Sequence, residues 1–424
     1  MGRTDRGVSR RDFVKAAVAI GGTSALSACL DREGAPDLDT GPEDLSALPA
    51  RQHAWNEALS RDDHGNVVAA RHHVLLLLEY AGEGTPGDAD RETVEKALQG
   101  LERAYPRSNE GLLFTVAYSP AYFDRYDASL PDSVDLPRPE ALAPFEDPEP
   151  DEPDALVHLA SDYGQVVLGA EEALLGERGT LNGVEISSFG DVFERADRRT
   201  GFVGAGLPAA NQDVDGIPDS EPVAEDAPLF MGFKSGFEAN QASEDRVTIR
   251  EGPFAEGTTT HLSKIQLHLD QWYEQDSRYQ RVGKMFSPAH ADEEKVEGVG
   301  NNLGTDSGLD GSQDRTLEDA RTKGMVGHTQ KSARARDEND SPLILRRDFD
   351  STDGGEAGLH FLSLQRTISD FVETREAMNG TDVADQSAVG TRNNNGILQY
   401  LTVDRRGNYL VPPRDHRALP RPDP

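Results

Sequence analysis

The run Gly327, His328, Thr329, Gln330, Lys331, Ser332, Ala333, Arg334 places one histidine among small and polar residues, with Arg336 just beyond it. One imidazole is enough as the axial ligand of a haem iron. Arg334 and Arg336 carry the planar forks that pair well with anionic propionate groups. Taken alone, a loop histidine more often has another role. Further along stand Ile344, Leu345 and Arg346. An arginine on a strand beside an open haem face can polarise a bound peroxide and stabilise charge as the O–O bond breaks. The commoner fate of an arginine is a surface ion pair.

Other chemistry-bearing residues make weaker patterns. His72 and His73 are adjacent at a strand start, where neighbouring side chains point to opposite faces, so they cannot share one metal. His261 and His268 fall on a strand pair and read as surface residues. Asp213, Asp215 and Gly216 match only part of a calcium loop and read as a polar turn. Trp55 and Trp272 read as packing residues, with surface electron transfer as the alternative.

The elements that must carry these residues follow from hydrophobic patterning. His73 to Tyr80 is apolar enough for a buried strand, and 91–104 has helical spacing at Val94, Leu98 and Leu101. Strands are expected at 112–118 and 155–161, a helix at 164–175, and a returning strand near 200–203. This is a strand–helix–strand unit followed by a second one, the ferredoxin-like pattern. A similar set then begins: a strand within 254–269, a short helix near 269–273 and an acidic, glycine-rich insertion at 291–318. Strands at 343–346 and 359–364, a helix at 367–378, a loop at 379–395 and a closing strand at 409–413 complete it. The expected class is α+β, with two ferredoxin-like halves forming a pseudo-dimeric α+β barrel. The halves are placed at 51–220 and 221–424, with the histidine site in the second.

Residues 1–28 read as an export signal. Arg10 and Arg11 precede a short apolar run from Ala16 to Leu26, which matches a twin-arginine signal and is too short for a good membrane span. Leu26, Ser27, Ala28 and Cys29 match a lipobox, and Cys29 is the chain's single cysteine, so neither a disulfide nor a cysteine metal site is available. The expectation is cleavage before Cys29, a lipid on its thiol, and anchoring to the outer face of the cell membrane. Residues 29–50, rich in Gly, Pro, Asp and Glu, read as a disordered tether. The net charge of −33, spread along the chain, excludes a nucleic-acid partner, which needs a basic face. Such self-repulsion is relieved by screening, which points to life in high salt.

Taken in order, these segments resemble the dye-decolourising peroxidase family over most of 72–413. The first strand, HVLLLLEY, resembles that family's opening strand, and ALVHLAS with its helix resembles the central one. Gly232, Phe233, Lys234, Ser235 and Gly236 align with its GxxDG motif, and Glu251 to Thr258 resemble the strand entry that follows. His328 matches the proximal haem ligand, Arg346 the distal arginine, Gly358 to Gln365 a GLLFLAFQ-like strand and Tyr409 to Pro413 the closing segment.

The resemblance implies haem b, hydrogen peroxide, a bulky or dye-like reductant and a homo-oligomer. Two departures matter. Ser235 stands where the family has its distal Asp, the base that moves a peroxide proton. Thr367 stands where an acid usually bonds the proximal histidine and makes it a stronger donor. The sequence therefore leaves three readings: a peroxidase, a haem-storing or haem-delivering lipoprotein, and a haem-free structural relative.

Overall fold

The structure is a computed structural model and describes residues 37–309 and 311–424. Arg10, Arg11 and Cys29 lie outside the described residues.

The first half contains β1 (His72–Tyr80), α1 (Asp88–Ala104), β2 (Leu113–Tyr118), β3 (Ala155–Ser161), α2 (Gly164–Leu174) and β4 (Phe193–Phe202). Its strands lie in the order β4–β1–β3–β2, all antiparallel. The second half contains β5 (Thr258–Leu267), α3 (Arg278–Met285), α4 (Thr316–Lys323), α5 (His328–Ser332), β6 (Leu345–Arg346), β7 (Phe349–Ser351), β8 (Gly358–Gln365), α6 (Ile368–Asn379) and β9 (Leu401–Val411). Here the order is β9–β5–β8–β7, which repeats that of the first half. The halves join where Phe202 of β4 pairs with Asp350 of β7 and where Tyr118 of β2 pairs with Leu410 of β9. The result is an α+β fold around one large mixed sheet whose strand path returns on itself.

The apolar run of β1 is explained by burial on both faces. Val74, Leu76 and Leu78 pack into the cluster under α1 and α2. Leu75 and Leu77 turn to the inner cluster with Leu262, Phe349, Leu362 and Tyr409. α1 starts where the Asp90 carboxylate accepts from Gly87 N at 2.8 Å, and buries Val94, Leu98 and Leu101.

Several elements differ from the sequence expectation. β4 begins at Phe193, well before 200, because its first residues are charged and exposed and carry no apolar signal. β9 begins at Leu401 for a similar reason. The short helix expected near 269–273 is a π-helical turn at Gln271–Gln275. α3 is polar in sequence and buries only Val282, Gly283 and Lys284. The 291–318 insertion is held down by Val296, Val299 and Leu309, all buried. The described part of the expected tether, 37–50, packs on the domain. Leu45 is buried, Gly41 N donates to Arg103 O at 2.9 Å, and Asn182 Nδ2 donates to Leu38 O at 3.1 Å. The expected boundary at 221 falls inside the connection between β4 and β5. Among the described residues no helix is long and apolar enough to cross a membrane.

Candidate functional site

β6 and β7 run beside β8 in one unbroken register, from Leu345 opposite Leu364 to Ser351 opposite Gly358. Arg347 N donates to Leu362 O at 2.7 Å in between. Extended chain sends alternate side chains to opposite faces. Leu345 and Phe349 enter the inner core. Arg347, on the same side, pairs with Glu244 at 3.0 Å and lies over the Trp55 ring. Arg346, Asp348 and Asp350 line a cavity on the other side. Its sheet wall continues through Ile265 and Leu267 of β5 and Leu359 and Phe361 of β8. Phe233, Ser235 and Asn240 enter from the connection between the halves, and His328 from α5. The cavity has a volume of about 160 Å³ and opens to solvent.

α5 is seated by close backbone approaches. A Cβ on Gly327 would stand 1.7 Å from Phe286 O, and one on Gly396 would stand 3.1 Å from His328 Cα. Gln330 accepts from Gly327 N at 3.1 Å and donates to Ser312 O and Asp319 Oδ2, each at 2.7 Å. The buried Lys331 donates to Met378 O at 2.5 Å and to Asn395 O at 3.1 Å, tying α5 to α6 and to the loop before β9.

The electrostatics follow from this placement. Burial, the Arg346 guanidinium and Lys331 push the His328 imidazole down to about 3, so it is neutral and able to bind a metal at ordinary pH. Burial pushes the Asp350 carboxyl well above the usual carboxylate range, and Asp348 adds to the shift. The Phe230 amide, donating to Asp350 at 2.5 Å, acts the other way without cancelling it.

Four half-buried polar side chains face this cavity without a partner. The His328 ring, the Arg346 guanidinium, the Asp348 carboxylate and the Ser235 hydroxyl make no hydrogen bond or ion pair with any described residue. Asn240 Oδ1 is buried without a partner.

Of the residues singled out in the sequence, His328, Arg346, Ser235 and Arg336 are brought together here. Arg336 also donates to Asp340 O at 2.6 Å. Arg334 does not belong to the site. It lies just beyond the end of α5 and pairs with Asp382 at 3.0 Å. Thr367 caps α6, accepting from Asp370 N at 3.3 Å, while the cavity-lining residues of that helix are Thr374 and Met378. No carboxylate among the described residues bonds His328. His261 is buried and stacked on Phe371 at 3.7 Å between ring centres, not on the surface. His73 bonds His158 at 2.9 Å. Trp55 and Trp272 are both buried. No group of three metal-ligating side chains occurs among the described residues, Asp213 and Asp215 included.

Sequence reasoning missed Asp348, Asp350 and Asn240. The first two had a signal: in Leu345, Arg346, Arg347, Asp348, Phe349, Asp350 the two apolar members fall on one face of a strand and Arg346, Asp348 and Asp350 on the other.

A family model described as "Family of unknown function (DUF7405)" matches residues 70–413. The chain belongs to this family. No curated protein matches the DUF7405 chain. Solved structures do. The dye-decolorizing protein from V. cholerae is 13% identical, with 86% of this chain and 98% of that one covered at a TM-score of 0.53. The encapsulated DyP-type peroxidase from Mycobacterium smegmatis is 15% identical, with 87% and 100% covered at 0.54. A Rhodococcus jostii RHA1 DypB variant in complex with heme is 14% identical, with 88% and 99% covered at 0.53. The DUF7405 protein therefore has the fold of the DyP-type peroxidases, in a divergent form.

Proposed function

We propose that this protein binds haem b in the cavity, with His328 as axial ligand, and uses it to reduce hydrogen peroxide at the expense of a bulky, dye-like reductant. The observation that carries the reading is the set of unpartnered polar groups on one apolar cavity. A neutral imidazole with no hydrogen bond is a ligand in waiting. The surrounding Phe233, Leu267, Leu359, Phe361 and Ile397 suit a flat apolar macrocycle, and Arg336 suits a propionate. Bound haem would supply the two electrons that O–O cleavage requires. The protein's own part is to orient the peroxide with the Arg346 guanidinium and to stabilise the charge that grows on the departing oxygen.

Arg10, Arg11 and Cys29 support a matching location. The folded, loaded protein leaves by the twin-arginine route and is held by a lipid on the outer face of the membrane, in a salty medium. The test of the haem reading is the visible spectrum of protein exported in high salt. A Soret band is expected in the wild type and in Arg346→Ala, and its loss in His328→Ala. Colourless wild-type protein would refute the reading. A second reading, haem storage or delivery with little turnover, is favoured by the lack of a carboxylate on His328 and at Ser235. Peroxide turnover by the coloured protein separates the two.

A further inference from the structure

We propose that Asp348 is the proton-transferring carboxylate of this site, and that hydrogen peroxide sits between it and Arg346. The proposal rests on the haem reading above and deepens it.

Arg346 and Asp348 are neighbours on one face of the β6–β7 strand, with Cα atoms about 6.6 Å apart at the usual rise. Both line the cavity. They carry opposite charge, yet they form no ion pair, and neither is paired with anything else described. Both are half-buried and face the same cavity. A molecule seated between them would accept hydrogen bonds from the guanidinium and donate one to the carboxylate. Hydrogen peroxide does both. Asp350, the next acid on the same face, is spoken for. It is buried, accepts from the Phe230 amide, and has its carboxyl pushed up by burial. Ser235 has no basic group to offer. Of the side chains lining the cavity, Asp348 is the carboxylate free to accept a proton.

The step balances as follows. The Asp348 carboxylate takes the proton from the near peroxide oxygen. The protonated Asp348 then gives that proton to the far oxygen, while Arg346 donates a hydrogen bond to it. The O–O bond breaks, its electron pair leaves with the far oxygen as water, and Asp348 is again a carboxylate. No net proton is consumed by the protein; the two electrons would come from the haem, where the near oxygen would remain until the reductant supplies two electrons and two protons to release it as a second water.

The test uses the haem-loaded mature protein in high salt. Asp348→Asn should keep the Soret band and the unfolding midpoint, while the rate of peroxide reaction falls about 10²–10⁴-fold. Cyanide binding gives a second readout without turnover, because hydrogen cyanide must also lose a proton, and its association rate should fall too. In the Asp348→Asn background, Ser235→Asp should restore at least a tenfold gain in the peroxide rate. Wild-type rates for both peroxide and cyanide in Asp348→Asn would overturn the proposal and leave the haem reading standing. So would the same loss appearing in Asp350→Asn instead. Absence of haem from the wild type would overturn both together.

Discussion

At His328 the donor strength of the imidazole is set by burial and by the Arg346 and Lys331 charges, with no carboxylate partner to raise it. On the proposed reading, Asp348 sets how fast a peroxide proton moves and Ser235 contributes no base. In the wild type, Ser235→Asp should give a smaller gain than in Asp348→Asn, because two bases at one site are not additive; stopped-flow rates on the four proteins of the cycle measure the coupling. Equal gains in both backgrounds would show that the two positions act on different steps. Asp350 makes a separate prediction. Its folded value lies above its unfolded one, so its contribution to stability is fully present at low pH and is lost as pH rises through the folded value. Asp350→Asn should therefore melt progressively higher relative to wild type between pH 4 and pH 8, and a constant difference would refute the assignment. His328 and Arg346 were legible in the sequence because they match motifs. Asp348 and Asp350 needed the register of β6–β7 with β8, which is a pairing between segments and not a property of either one. Arg334 was misplaced because its proximity to His328 in sequence says nothing of whether it faces the cavity.

At the level of elements, the site depends on how closely α5 is pressed against its neighbours. Gly396 adopts a positive φ of 64° and abuts His328 Cα. Gly396→Ala combines backbone strain with a tight 3.1 Å approach to His328 Cα, at a cost of order 1–3 kcal/mol. A lowered unfolding midpoint and a faster release of haem to an apo-globin acceptor are expected, and unchanged haem release would show that α5 tolerates the shift. The strands that the sequence revealed best, β1, β2 and β3, are buried on both faces and read as apolar runs. The first part of β4 and the first part of β9 were hidden, because partly exposed strands carry charged residues that composition reads as loop. α3 was hidden for the corresponding reason: a helix of eight residues with three buried has too narrow a stripe to stand out.

For the whole molecule, two conditions should govern stability. With a net charge of −33, self-repulsion reaches across the domain at 0.01 M salt, where the Debye length is about 30 Å, and is confined to neighbours at 1 M, where it is about 3 Å. The unfolding midpoint should rise over that range, and a flat midpoint would remove the salt-adaptation reading. Acid acts on the buried histidines. His53, His73 and His328 are each pushed down to about 3, and His72 to about 4, by burial. A depressed folded value gives stability that is present above the unfolded value near 6.5 and is lost as pH falls toward the folded one. Unfolding in fixed high salt should therefore become easier from about pH 6.5 downward. Stability independent of pH between 6.5 and 4 would contradict that burial. The repeated strand order of the two halves was legible from the recurrence of strand–helix–strand patterning, whereas the junctions between β4 and β7 and between β2 and β9 were not.

Those junctions have a consequence for when the protein can become whole. β9 is the last strand among the described residues, and it pairs with β5 along its length and with β2 of the first half. Until β9 has left the ribosome, β2 and β5 both present unpaired backbone, the kind of edge that recruits strands from other chains. Ring closure thus waits for β9. A chain stopped before Leu401 should aggregate under conditions in which the full-length chain stays dispersed.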